Sequence, residues 1–154
     1  MKRKILLAAI CVLFCATAFG VGTVTQSLSK NRADTVAVLT FTWTADVGDA
    51  SVPSTTTSTA ITAALQHYFL YMMETDPGGT APTDNYDIVV NDANGNDILG
   101  GLGADRDTAN TETVMPLIGG ANYAPRPIDT ALTLVITNNA VNSATGVVKL
   151  YFAR

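Results

Sequence analysis

The chain has 154 residues, 47% of them apolar, with nine Lys and Arg against thirteen Asp and Glu, a length that suits one ordinary domain and leaves little room for a second. Three of the nine basic residues are Lys2, Arg3 and Lys4, so the remainder sets six basic residues against thirteen acids, a net charge of −7. Such a surface repels phosphate backbones and argues against nucleic acid as a partner.

The first residues read as an export signal. The basic cluster Lys2-Arg3-Lys4 is followed by an apolar run from Ile5 to Phe14 and by the small residues Ala16-Thr17-Ala18, the order of a cleavable secretory leader. A leader over residues 1–18 and a single domain over residues 19–154 are therefore expected, with an extracellular or periplasmic destination. The run is shorter than the roughly 20 residues that span a bilayer, so no membrane attachment is expected after cleavage. Cys11 and Cys15 both lie within it, which would leave the mature chain without a disulfide or a cysteine metal site.

From Val24 onward, short β-branched and aromatic runs alternate with Gly, Pro, Asn, Asp and Thr clusters, the pattern of a sandwich or barrel. Strands are predicted at Val24–Lys30 and at Thr35–Thr44, where Leu39, Phe41 and Trp43 share one face and Thr40, Thr42 and Thr44 the other. Residues 47–59 read as a loop. His67–Thr75 reads as a strand closed by the turn Asp76-Pro77-Gly78-Gly79, with a helix over Ser58–Met73 as the alternative because Ala60, Ala63 and Ala64 favour one. Further strands are predicted at Tyr86–Val90, Asp97–Gly101, Thr113–Ile118, Thr130–Thr137 and Gly146–Phe152, the last two as a hairpin. Leu132, Leu134 and Ile136 would face inward there, with Val148, Leu150 and Phe152 opposite. The sum is an all-β fold, an antiparallel β-sandwich of about eight strands, immunoglobulin-like or jelly-roll.

Few residues point to chemistry. Gly100, Gly101, Gly103 and Asp105 match four positions of the nonapeptide G-G-x-G-x-D-x-U-x of calcium-binding β-helices, and Asp97 and Asp105 are the carboxylates it would offer. Asp107, however, occupies the position that needs a large apolar residue, and a single repeat has no stacked neighbour. A hairpin that turns at Asp92-Ala93-Asn94-Gly95, with Gly95 left-handed, explains the same residues. An EF-hand fails because Gly103 stands where the bidentate Glu belongs. His67, the only histidine, lacks converging partners for zinc or a triad. The pairs Asp84 with Asp87 and Asp105 with Glu112 read as turn residues rather than as a glycosidase couple. No catalytic residue, cofactor or metal is therefore expected. Trp43, Tyr68, Tyr71, Tyr86 and Tyr123 offer either a sugar platform or, more simply, core and subunit contacts. Because the run Leu65–Met73 has no polar face, Tyr68, Tyr71 and Met73 are predicted at an interface between subunits.

Three stretches carry a resemblance. Phe41-Thr42-Trp43-Thr44-Ala45-Asp46 is the first, and the run from Glu74-Thr75-Asp76-Pro77-Gly78-Gly79 through Tyr86-Asp87-Ile88 is the second. The third joins Asp92-Ala93-Asn94-Gly95 to Gly103-Ala104-Asp105-Arg106 and the closing Tyr151-Phe152. In this order they resemble a family of small structural proteins common in tailed-phage and prophage genomes. The resemblance implies a β-sandwich on the virion surface, a capsid decoration or fibre-associated subunit, whose partners are copies of itself or a capsid or fibre scaffold. A secretory leader departs from that pattern, because virion proteins assemble in the cytoplasm. It keeps open the alternative of a secreted or periplasmic adhesive module that binds glycan or protein.

Overall fold

A computed structural model describes residues 20–154; the expected leader lies outside them. Period-two alternation builds the large sheet. Strand β1 (Thr23–Lys30) pairs with β2 (Val36–Thr44), β2 with the final strand β11 (Thr145–Ala153), and β11 with β4 (Tyr68–Pro77), all antiparallel. The far edge of β4 is shared by β9 (Arg126–Ile128) at its start and β6 (Glu112–Val114) further along. A second sheet has the order β3 (Thr55–Thr56), β10 (Thr133–Thr137), β5 (Asp87–Asn91), and β7 (Leu117–Ile118) forms a small hairpin with β8 (Asn122–Tyr123).

Every second residue of β2 and β11 is buried: Leu39, Phe41 and Trp43 on one, Val148, Leu150 and Phe152 on the other. Ile88, Val90, Leu134 and Ile136 of the second sheet join them in one hydrophobic cluster. Two antiparallel sheets thus enclose a shared core, the sandwich-like arrangement expected from the alternation. Tyr86 ties the layers together. Its hydroxyl meets Thr75 Oγ1 of β4 at 2.7 Å, buried, while its ring lies 6.0 Å from that of Trp43.

Several local expectations change. The segment that balanced helix against strand is both: Ala-rich Thr59–Leu65 forms α1, capped by Ser58 Oγ, which accepts from the Ile61 N–H, and the aromatic half forms β4. His67 lies between them, exposed, at φ +70. The predicted hairpin of Thr130–Thr137 with Gly146–Phe152 is not formed, since β10 pairs with β3 and β5 while β11 lies in the other sheet. Their apolar faces meet across the core instead of side by side. Thr113–Ile118 divides at Pro116 into β6 and β7. Asp97–Gly101 makes one bridge, Asn91 with Asp97, and then loops. Among the described residues no helix is long and apolar enough to cross a membrane.

Candidate interaction surface

The outward face of the large sheet is graded along its strands. Cross-strand register sets Val38, Tyr151 and Met72 in one row and Val36, Ala153 and Phe69 in the next. The row on the other side is charged or polar, with Thr40, Lys149 and Glu74 in register. Lys149 Nζ and Glu74 Oε1 are 2.7 Å apart, and the Tyr151 hydroxyl donates to Glu74 Oε2 at 2.9 Å. The Lys149 hydrogen bond above all, and that of Tyr151 after it, hold the Glu74 carboxyl below its ordinary value against partial burial, and the same hydrogen bond raises Lys149.

A bulge in β4 enlarges the apolar end. Tyr151 pairs with Met72 and Phe152 with Leu70, leaving Tyr71 as an extra residue. Tyr71 and Met72 are consequently both part-exposed, and the Tyr71 ring lies 6.3 Å from that of Tyr151. Phe69 is 45% exposed. Beside it, Tyr71, Pro125, Ala153 and Arg154 line a hollow of about 410 Å³.

This placement corrects two of the three predicted interface residues. Tyr68 and Met73 are fully buried. Tyr68 points beneath the sheet end, its hydroxyl 2.7 Å from Asp34 Oδ1, with Lys30 Nζ 5.0 Å and the Arg154 guanidinium 4.9 Å from its ring centroid. Only Tyr71 of the three reaches the surface, and its outward neighbours are Phe69 and Met72. An apolar run without a polar face does not say which of its residues turn outward; the bulge and the cross-strand register decide that, and neither has a sequence signature. Trp43 and Tyr86 are buried as well, which leaves part-exposed Tyr71 and, away from it, Tyr123, 64% exposed, as the accessible members of the sugar platform. It borders a cleft of about 560 Å³ with Met115, Thr113, Asp105 and Arg106.

The glycine-rich segment serves the backbone. Asp92 Oδ1 accepts the N–H groups of Asn94 and Asn96, and Gly95 takes φ +82, so the turn forms where the sequence placed it. Asp97 uses Oδ1 for the Leu99 N–H and Oδ2 for the Gly101 N–H. The segment then runs along the outer edge of β5: Ile98 N–H donates to Val90 O, Ile88 N–H to Gly103 O, and Arg106 bridges Tyr86. A Cβ at Gly103 would stand 1.9 Å from Ile88 O, so close strand contact is reason enough for that glycine. Asp105 has its own N–H on Asp87 Oδ1. Among the described residues no three His, Cys, Asp or Glu side chains converge as a metal cage would require. Arg106 is held by Ala104 O and lies 3.5 Å from Glu112.

Compared with family models, with curated proteins and with solved structures, the chain matches none.

Proposed function

We propose that the domain is a non-enzymatic structural subunit of the virion-surface kind, which packs the apolar end of its large sheet against neighbouring copies. The observation that carries this reading is the pair of rows Val38–Tyr151–Met72 and Val36–Ala153–Phe69, which the sheet turns outward beside an apolar hollow. Isolated apolar residues are common on protein surfaces, whereas a contiguous patch with aromatic and Met side chains has the composition of an interface core. The charged row Lys149–Glu74 beside it has the character of a polar rim. The virion setting rests on the turn and strand motifs described above.

The alternative, an exported adhesive module for glycan or protein, has one observation in its favour: Tyr123 stands exposed at the mouth of the 560 Å³ cleft beside Asp105. Mass spectrometry of purified particles and of culture supernatant separates the two. A structural subunit is recovered with particles in stoichiometric amount. Recovery only from the supernatant, with Tyr123→Ala abolishing attachment to a surface, would replace the first reading with the second.

A further inference from the structure

Sheet edges distinguish one strand from all the others. An edge strand offers a row of unpaired N–H and C=O groups, and proteins blunt such rows with short strands, proline, bulges, charges or a covering loop. Most edges here are treated that way. The outer edge of β5 is covered by residues 97–106, through Ile98, Gly103 and Arg106. Strand β3 is two residues long, two positions after Pro53. The outer edge of β4 is covered by β6 and β9, each three residues long, and β9 contains Pro127.

Among the described residues, strand β1 has none of these devices. It runs eight residues in unbroken register with β2, from Thr23 opposite Thr44 to Lys30 opposite Ala37, and contains no proline. Its only charge, Lys30, is at the end and is drawn to Asp34 at 3.0 Å. Among the described residues β1 pairs with β2 alone. The Gln26 side chain ties the strand to the end of β3 and the segment that follows it, donating to Thr56 O and accepting from the Ser58 N–H, and the outer edge of β1 stays unpaired among the described residues.

The order of its residues indicates what pairs there. About Gln26, the sequence Thr23-Val-Thr-Gln-Ser-Leu-Ser29 is chemically palindromic. An antiparallel copy in that register sets Val24 opposite Leu28, Thr25 opposite Ser27, Thr23 opposite Ser29, and Gln26 opposite itself. Apolar meets apolar and hydroxyl meets hydroxyl, the cross-strand pairs that stabilise antiparallel sheets, and no like charges face each other. Lys30 falls outside the matched stretch.

We propose that β1 is a self-pairing edge, which joins two copies of this chain about a two-fold axis at Gln26 into one continuous sheet. The two-fold would run normal to the sheet, so both outer faces lie on the same side of the joined sheet. The inference goes beyond the proposed structural role and does not use the apolar face, so the two fail separately.

A charge swap tests it at residue level. Thr25→Lys/Ser27→Lys sets lysine opposite lysine twice in the paired register, and Thr25→Glu/Ser27→Glu sets glutamate opposite glutamate. Both positions are exposed on the outward face, so each variant should melt close to the wild type. By light scattering at equal concentration, each variant alone is expected at about half the wild-type mean mass. An equimolar mixture of the two is expected to regain it. Wild-type mass in either variant, or a mixture that stays at the variants' mass while both remain folded, would overturn the proposal. Hydrogen exchange on the wild type gives a second reading: those amides of residues 23–29 that point away from β2 should gain protection as concentration rises. Protection that does not depend on concentration would equally overturn it.

Discussion

Replacing Gly146 by alanine tests whether the core is packed as described. Gly146 faces inward on β11 directly opposite Trp43, and its missing side chain is the space into which the indole lies. A Cβ there would stand 2.7 Å from Cε2 and Cζ2 and 2.8 Å from Nε1 of Trp43, well inside the ~3.5–4.0 Å of ordinary carbon contact. Trp43 is enclosed and cannot swing away. Overpacking of this kind costs about 1–3 kcal/mol, while removing glycine's freedom in the unfolded chain returns about 0.4–1 kcal/mol. The net expectation is a loss of about 1–2 kcal/mol, or roughly 3–8 °C in melting temperature for a domain of this size. Trp43 is the only tryptophan, so its own emission reports both the unfolding and the altered packing. Trp43 Nε1 is buried without a hydrogen-bond partner among the described residues, so Trp43→Phe removes the crowded atoms without breaking a bond there. In that background the alanine should cost less, with a coupling of about 0.5–3 kcal/mol. A Gly146→Ala protein as stable as the wild type, with unchanged emission, would refute the cross-strand fit.

Three further outcomes follow from the geometry. Tyr86→Phe and Thr75→Val each strand a buried hydroxyl and should each cost about 1–3 kcal/mol, whereas the double variant should cost less than their sum in urea unfolding. Hydrogen bonds hold the carboxyls of Asp34, Asp49, Asp92, Asp107 and Glu74 below their ordinary values, from Tyr68, Ser51, Asn96, Asn110 and Lys149 respectively as the largest cause. Folded-state values below the unfolded ones contribute stability that is complete above about pH 5 and lost as pH falls through the folded values, so melting scanned downward should hold to about pH 5 and decline gradually below it, since solvent screens these accessible groups. Millimolar calcium should leave the melting temperature where a chelator leaves it, because both Asp97 carboxylate oxygens already accept backbone N–H groups; a rise of several degrees would restore a site at Asp97 and Asp105.

What the sequence revealed and what it hid divide along one physical line. Local alternation was legible: Thr35–Thr44 yielded β2 within a residue, and Leu132, Leu134 and Ile136 were rightly placed inward. The Asp92–Gly95 turn was equally legible, since Asx chemistry and a left-handed glycine are local requirements. Partner choice was not. The segments β10 and β11 are adjacent in sequence and both alternate, so a hairpin was the economical reading, yet the chain crosses from one sheet to the other between Asn138 and Ala144. The surface suffered from the bulge at Tyr71, which a strictly alternating strand cannot express. Tyr71 and Met72 both reach the surface there, while Tyr68, Leu70 and Met73 turn into the core and leave Phe69 as the exposed aromatic. The value of Gly103 lay in a neighbour, Ile88, fifteen positions earlier, and its motif neighbours only imitated a metal repeat.

The central claim is that the apolar end of the large sheet is a contact surface between copies, and a charge placed on it tests this most directly. Met72→Asp puts a carboxylate in the row with Val38 and Tyr151, on a part-exposed side chain whose loss leaves the core intact. Light scattering of the purified protein over a concentration series, compared with the wild type, reads the effect. The account predicts a wild-type mean mass that rises with concentration and a Met72→Asp protein that melts near the wild type while staying at lower mass throughout. A folded Met72→Asp protein with the same mass at every concentration as the wild type would contradict it.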